Sequence, residues 1–365
     1  MAAHQIEVHL VASPDGDTLA TFARAEGAIP HAVPMTRAMT PLADSLALWR
    51  LYRLLGALKP DVVHAGTPKG GFLGMLAAAA RQVPLRLYHM HGIRGMTARG
   101  WRRRVLMTTE KIACGLATRV LCVSASTRQT ALDEGLCPPE KIVVLGAGSC
   151  NGVDARGRFD PARQDAAARA ATRARLDIPP TAPVIGFVGR IVREKGLGEL
   201  AEAWTDLAAK FPGAHLIIVG PLETEDPVPG AVVAALRAHP RVRFVEPVVD
   251  PAPYYAVMDV VALPTYREGL PNVPLEAAAM GLAVVASRVT GCVDAIVDGE
   301  TGTLVPVGQA APLAGALARY LEDPELRRRH GAAGRERVLR DFVPEDVWRA
   351  VLALYLSPRG AATAA

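Results

Sequence analysis

Aromatic residues are scarce, at 5% of a 365-residue chain that is 50% hydrophobic. Ala, Val, Leu, Gly and Pro supply the bulk instead, which is the composition of a soluble α/β protein with many short loops. Long apolar runs are missing too. The longest, around Phe72–Ala80, falls far short of the roughly 20 residues that cross a bilayer, so no membrane span is expected. The opening MAAHQIEVHLVAS lacks a basic segment followed by an apolar stretch and a small-residue cleavage site, so no secretory signal is visible in it. Cysteines are few: Cys114, Cys122, Cys137, Cys150 and Cys292 are odd in number and have no CxxC pair. Reduced thiols in a cytoplasmic protein are expected, without a metal site.

Acid is nearly absent from one stretch. Between Arg81 and Arg128 ten Arg or Lys face only Glu110, a local +9 within a chain of net +5. A basic surface that dense suits a phosphate-bearing partner or an anionic membrane face, although a solvated helix face would also account for it.

What is present is an alternation of apolar runs and amphipathic stretches, the mark of βαβ units and parallel sheets. Candidate strands are Ile6–Ala12, Asp61–His64, Leu85–His89, Arg119–Val123 and Ile142–Leu145 in the first half. In the second they are Pro183–Val188, His215–Val219, Val242–Val245, Val260–Leu263, Ala283–Ala286 and Thr303–Val305. Helical patterns such as Leu46–Leu58, Glu199–Lys210 and Pro312–Leu321 lie between them. The length favours two domains. Asn151–Thr181, poor in apolar residues apart from Phe159 and Leu176, reads as the linker and the entry to the second. The division expected is residues 1–154, residues 155–342, and a C-terminal helix with a tail over residues 343–365 that packs back on the first domain. Ile6–Ala12 runs straight into a polar loop, whereas a nucleotide-binding sheet usually opens on a central strand and a phosphate-side loop.

The sharpest motif is PTYREGLPNVPLEAAAMGLAVVAS, residues 264–287. It leaves a strand, turns at Gly-Leu-Pro-Asn and enters a short helix with Pro274 in its first turn, where a missing N–H costs nothing. The backbone N–H groups from Gly269 to Val273 would face the mouth of the sheet, where hydrogen bonding and the helix dipole both favour an anion such as a diphosphate. Glu268 and Glu276 flank the turn, eight residues apart. Carboxylates accept well from hydroxyls, so sugar or ribose is their natural partner, although a Glu in a first turn also complements the dipole without binding anything. A second motif, FVGRIVREKG at residues 187–196, offers Arg190 and Lys195 in a glycine-bounded loop beyond another buried strand. Cations at the C-terminal ends of parallel strands suit a diphosphate.

With HAGTPKGGFLGMLAA, YHMHGIRG, VLCVSAS, VGRIVREKG and EGLPNVPLE in this order, the chain resembles the retaining glycosyltransferases of family 4. The resemblance covers nearly the whole chain. It implies the GT-B fold, an α/β architecture of two Rossmann-like domains with parallel sheets facing a central cleft. It implies transfer from a nucleotide sugar, by family habit a UDP-sugar, with retention of anomeric configuration. Arg190 and Lys195 match the pair that neutralises the donor diphosphate, and Glu268 the Glu near the transferred sugar. Glu276 matches the one on the ribose hydroxyls. Gly189 and the stretch Gly269, Leu270, Pro271 and Asn272 match the donor cradle. His91 matches a first-domain His that approaches the donor sugar, with His64 and Lys69 lining the same cleft. Uracil contacts are expected near Phe244–Asp250. No cofactor and no metal are expected, because the cations and amide dipoles already meet the developing diphosphate charge. Relatives normally begin with one more strand and a Gly-containing loop, so Ile6–Ala12 resembles their second strand. The first residue of this sequence is therefore expected to lie about one βα unit inside the domain.

Other motifs compete less well. VVLGAGSCNG, residues 143–152, follows a strand like a dinucleotide fingerprint, but its third Gly is misplaced and no helical pattern follows. Asp15-Gly16-Asp17 could be a metal-binding pair, yet beside Pro14 it reads as an ordinary turn. The basic segment over residues 96–111 sets Arg99, Arg102, Arg103 and Arg104 beside Trp101, Val105, Leu106 and Met107, suited to a lipid head-group boundary. With the likeness to capsule and O-antigen enzymes, this points to a polyprenyl-diphosphate-linked acceptor, a peripheral position on the inner face of the plasma membrane, and cell-surface polysaccharide synthesis. A nucleotide-sugar epimerase of the same fold, or a non-catalytic nucleotide-sugar-binding regulator, would use the same donor grip. Nucleic acid is not expected as a partner.

Overall fold

Each expected strand forms, together with one that the pattern does not reveal. The computed structural model describes residues 6–36 and 40–357. In the first half β1 (His9–Ala12) and β2 (Ile29–Ala32), linked by α1 (Thr18–Ala25), pair in parallel from His9↔Ile29 to Ala12↔Ala32. β2 escapes sequence reading because Ile-Pro-His-Ala has no alternation, and its Pro30 is tolerated only where a strand leaves a backbone edge unpaired. α2 (Pro41–Leu58), β3 (Val62–Gly66), α3 (Pro68–Ala80), β4 (Leu85–Met90), α4 (Gly100–Leu116), β5 (Arg119–Cys122), α5 (Ala125–Asp133) and β6 (Ile142–Val144) follow. Among the described residues the first-domain strands form two sheets rather than one, β1-β2 and β3-β4-β5-β6.

The glycines of HAGTPKGGFLGMLAA have a packing role. A Cβ on Gly71 would stand 2.2 Å from the ring of Tyr88, so only glycine lets α3 lie this close to β4. Ala47, Leu51 and Leu55 of α2 pack with Leu73, Ala77 and Ala78 of α3.

The second half begins with α6 (Ala166–Arg175), inside the stretch read as linker. Asp165 caps it by accepting from the Ala168 N–H at 2.7 Å. Then come β7 (Val184–Val188), α7 (Leu197–Lys210), β8 (His215–Val219), α8 (Gly230–Ala238), β9 (Val242–Val245), α9 (Ala252–Tyr255), β10 (Val260–Leu263), α10 (Asn272–Ala279), β11 (Ala283–Ser287), α11 (Cys292–Ala295), β12 (Gly302–Val305), α12 (Ala310–Glu322), α13 (Pro324–Asp341) and α14 (Pro344–Leu356). The strand order is β12-β11-β10-β7-β8-β9, parallel throughout. β7, β8, β10 and β11 are buried at every residue, as expected of strands covered on both faces. Alternate residues feed two cores. Val184, Val261, Leu263 and Val284 join one with α10, while Ile185, Phe187, Val260 and Val285 join the other with α7 and α12.

Contacts divide the chain into two units with an unexpected boundary. Cys122–Thr130 belongs with Val144–Leu356, so the start of α5 and all of α14 lie in the second unit. No described helix is long and apolar enough to cross a membrane.

Candidate active site

From β7 the chain winds one way through β8 and β9, and from β10 the other way through β11 and β12. The reversal between β7 and β10 is a topological switch point, and the crevice beyond the C-terminal ends of those two strands is where open α/β sheets take ligands. Both motifs leave from these two ends. FVGRIVREKG departs from β7 and PTYREGLPN from β10.

Close backbone approaches lock the two loops together. A Cβ on Gly196 would stand 1.9 Å from the Pro264 carbonyl oxygen, and its φ of +74° also demands glycine. The Tyr266 N–H and the Thr265 hydroxyl both donate to the Glu194 carbonyl, at 2.8 and 3.2 Å. Gly189, at φ +138°, turns the chain out of β7, and its carbonyl oxygen would be 2.1 Å from any Cβ on Gly220.

The expected cations are both present and both engaged. Lys195 Nζ donates to Glu268 Oε1, and these two side chains are 16% and 11% exposed. Arg190 reaches Glu223 at 2.9 Å and Glu194 at 3.2 Å, and the other oxygen of Glu194 accepts from Arg267 at 2.8 Å. Lys195 and Glu268 thus meet directly, while Arg190 is held on the Glu223 side of the loop.

α10 opens without a side-chain cap. The N–H groups of Gly269, Leu270, Asn272 and Val273 donate to no protein acceptor among the described residues, and Pro271 has none to give. Glu276, half-buried one turn further on, accepts from the Tyr255 hydroxyl at 3.0 Å. Burial raises its carboxyl above the usual range, against the Tyr255 donation and the nearby Arg158. It borders a cavity of about 400 Å3 lined also by Asn272, Arg158, Glu345 and Trp348. In the stretch expected to meet a base, Asp250 is paired with Arg158 at 2.9 Å, and Val249 gives its carbonyl to the same guanidinium.

Sequence reasoning missed the hydroxyls that hold this turn from behind. Ser124 and Thr127, both 0% exposed, place their oxygens 2.7 and 2.9 Å from the Gly269 carbonyl, across more than 140 residues of chain. Ser126 bonds to Asp294 and accepts from the Gly291 N–H at 2.8 Å, and a Cβ on Gly291 would strike the Gly269 carbonyl at 2.3 Å. The only sequence signal was a Ser-Ala-Ser-Thr run directly after a strand. Replacing Ser124 with Ala and Thr127 with Val leaves a buried carbonyl unpaired, at a cost of about 1–3 kcal/mol. The double variant is expected to bind nucleotide about tenfold or more weakly, whereas wild-type affinity by calorimetry would remove the clamp from the argument.

In the first unit His64, His89 and His91 cluster at the ends of β3 and β4. His64 Nε2 lies 3.0 Å from His89 Nδ1, and His89 stacks on His91 with centroids 4.2 Å apart. A Cβ on Gly66 would reach within 2.5 Å of His91 Nε2, so that glycine makes room for the ring. His89 Nε2 is buried with no partner among the described residues. Desolvation, then the neighbouring histidines, hold His89 down to about 2 and His64 to about 4; desolvation also lowers His91. The rings are therefore neutral at pH 7 and able to donate or accept one hydrogen bond. Lys69 is drawn away to Asp44, at 2.6 Å.

The cluster sits near an opposite case. Glu110, 3% exposed and bonded by the Tyr88 hydroxyl at 2.6 Å, is raised by burial to about 7. In the unfolded chain His89 takes a proton near 6.5 and in the fold it does not. Its contribution is complete above that pH and is lost below it, by about 1.4 kcal/mol per pH unit. Glu110 keeps its proton in the fold between 4.5 and about 7, so it opposes that loss. Melting curves from pH 7.5 to 5 should therefore fall more steeply in Glu110→Gln and less steeply in His89→Asn than in wild type. Parallel curves for all three would overturn this account.

The remaining readings sort plainly. In VVLGAGSCNG, Ser149 donates to the Val123 carbonyl at 2.7 Å and a Cβ on Gly148 would be 2.2 Å from that oxygen, so the glycines pack strand ends and start no helix. Asp15 and Asp17 flank a turn. On α4, Trp101 is 64% exposed, with Arg99, Arg102 and Arg104 also exposed. Arg103 bonds Glu134 at 2.6 Å with its side chain still 41% exposed, whereas Met107 is buried, which corrects the expectation that Met107 lies on the outer surface.

Residues 1–148 match the glycosyl transferase 4-like domain, and residues 182–323 match the glycosyl transferases group 1 domain. The capsular polysaccharide biosynthesis glycosyltransferase CapM of Staphylococcus aureus is 33% identical over 96% of this chain and 90% of its own length. Among solved structures, sucrose-phosphate synthase from Thermosynechococcus elongatus is similar with a TM-score of 0.80 at 24% identity, over 97% of this chain and 89% of that one. Anabaena HepE in complex with UDP-glucose is similar with a TM-score of 0.77 at 21% identity, over 93% and 89%. These likenesses give the GT-B fold of two Rossmann-like domains. A parallel sheet with its ligand-facing loops at the switch point, both halves matched and one relative aligned nearly end to end make the chain a member of the group 1 and 4-like glycosyltransferases.

Proposed function

We propose that the enzyme transfers a sugar from a UDP-sugar to a polyprenyl-diphosphate-linked acceptor, with retention of configuration and without a metal ion, in cell-surface polysaccharide synthesis. The observation that carries the donor reading is the uncapped start of α10, whose N–H groups lack protein acceptors, next to the Lys195–Glu268 pair. An anion there gains amide bonds, dipole and cation together. The similar structure of HepE with UDP-glucose and the similarity to the capsular polysaccharide glycosyltransferase CapM support the same reading.

In this reading the diphosphate lies against Gly269–Asn272 and draws Lys195 and Arg190 into contact, each still steadied by the carboxylates that hold it now. Glu276 takes the ribose hydroxyls, and Glu268 lies near the transferred sugar. Departure of the nucleoside diphosphate is the hard step, and donors preorganised on its developing charge lower that barrier. The acceptor hydroxyl attacks from the leaving-group face, and the departing phosphate takes its proton. The exposed cations of α4 with Trp101 rest on anionic lipid.

Release of nucleoside diphosphate decides the main point. It should require both a UDP-sugar and a lipid-linked acceptor, and donor epimerisation without acceptor, or tight donor binding with no turnover, would overturn it. Vesicle flotation of an Arg102/Arg103/Arg104→Ala variant tests the α4 surface; recovery equal to wild type would reject it.

A further inference from the structure

Local rules build a tight turn over Asp154–Phe159, in the stretch that reads as linker. The Asp154 carboxylate accepts from the Arg158 N–H at 2.8 Å, and the Asp154 carbonyl accepts from the Phe159 N–H at 2.9 Å. Gly157 permits this closure, because a Cβ there would stand 2.2 Å from Asp154 Oδ2. Phe159 anchors the turn. It is 6% exposed and meets the Tyr255 ring edge-on, with centroids 6.1 Å apart. Tyr255 is the residue whose hydroxyl holds Glu276, so the turn is packed directly against the side chain that orients that carboxylate.

From the turn Arg158 reaches the loop between β9 and α9. Its Nε donates to Asp250 Oδ1 at 2.9 Å and its Nη2 to the Val249 carbonyl. Asp250 Oδ1 also accepts from the Ala252 N–H at 3.1 Å, at the start of α9, the helix that carries Tyr255. The Val249 side chain gives this loop no anchorage, being 94% exposed. A guanidinium fork on two acceptors, one of them charged, is a strong and directional hold. Arg158 and Glu276 moreover line one cavity of about 400 Å3, a volume suited to a small ligand.

We propose that Arg158 is a positioning residue for the nucleoside end of the donor, pinning the Val249–Asp250 loop beside Glu276 so that both present one wall to the ligand. This rests on the reading of Glu276 as the ribose acceptor. Arg158 also acts on Glu276 by charge. Burial raises the Glu276 carboxyl, the Tyr255 hydroxyl and the Arg158 cation draw it down, and Asp250 raises it again. Asp154 and Glu345 are the other charged groups on the cavity, while Arg335 of α13 is turned to the Ala279 carbonyl and Asp160.

UDP is titrated calorimetrically, across the acid range, into full-length wild type, Arg158→Ala, Arg158→Lys, Glu276→Ala and the Arg158→Ala/Glu276→Ala double variant. The Arg158 side chain is 41% exposed, so its truncation should leave the fold intact. Arg158→Ala should bind UDP about tenfold more weakly at neutral pH. Its affinity should also begin to fall at a higher pH than in wild type, since Glu276 has lost the cation that favours its charged form. Arg158→Lys keeps the charge without the fork, so it should hold the wild-type acid midpoint while still binding more weakly. The double variant should lose less than the two single losses combined, because Arg158 acts partly through Glu276. Wild-type affinity in Arg158→Ala, with Glu276→Ala weakened, overturns the proposal alone. So does strict additivity of the two substitutions, or an acid midpoint that Arg158→Ala leaves in place. Wild-type affinity in Glu276→Ala overturns the ribose reading itself, and the proposal with it.

Discussion

Lys195→Ala is expected to lower kcat by about 100- to 1,000-fold while changing the donor KM far less, because its cation acts on charge that grows only as the diphosphate leaves. The structure adds a condition to this. Lys195 is held by Glu268, with both side chains largely withdrawn from solvent. Truncating the lysine therefore strands a carboxylate beside the backbone turn that cradles the donor, and some stability is lost as well. Glu268→Gln separates the two effects, since it keeps a group near Lys195 that can accept a hydrogen bond but removes the negative charge. If Lys195 works chiefly on the diphosphate, Glu268→Gln should retain far more turnover than Lys195→Ala. Initial rates at saturating acceptor, with melting curves for both variants, decide the matter. A kcat for Lys195→Ala within about threefold of wild type would take the lysine out of the chemistry.

The two motif loops were legible because local rules write them. A buried apolar run, a glycine at positive φ and a proline near a helix start fix where the chain turns and which amides are left over, and those rules act within about ten residues. What holds the loops was not legible, because it arrives from elsewhere in the chain. The partner of Arg190 is Glu223 and that of the Gly269 carbonyl is Ser124. No periodicity connects such residues; only the strand order that brings their loops together does. α6 was hidden for a different reason. Its Ala and Arg content gives little apolar pattern, and the cap at Asp165 outweighs that. On α4 the misplaced residue was Met107, because a run of arginines and apolar residues does not say which side of the helix meets the core.

Glu276→Ala should weaken nucleotide binding by about 10- to 100-fold with the fold retained, the loss expected for charge-assisted bonds to ribose hydroxyls. Tyr255 provides the internal control. Its hydroxyl donates to Glu276 Oε2 and is fully buried behind it, so it orients the carboxylate without needing to touch the nucleotide. Tyr255→Phe should consequently cost less affinity than Glu276→Ala. The same geometry sets a pH dependence. Burial raises the Glu276 carboxyl above its usual range, so it takes up a proton at a higher pH than an exposed glutamate does. Protonation removes negative charge and accepting capacity, and donor affinity should therefore fall as the pH drops through that raised value, while above it affinity is level. Glu276→Gln, which does not titrate, should bind more weakly than wild type at neutral pH and show no such decline on acidification. Calorimetric titrations of UDP across the acid range would test this, and a decline of equal steepness in wild type and Glu276→Gln would assign it to another group.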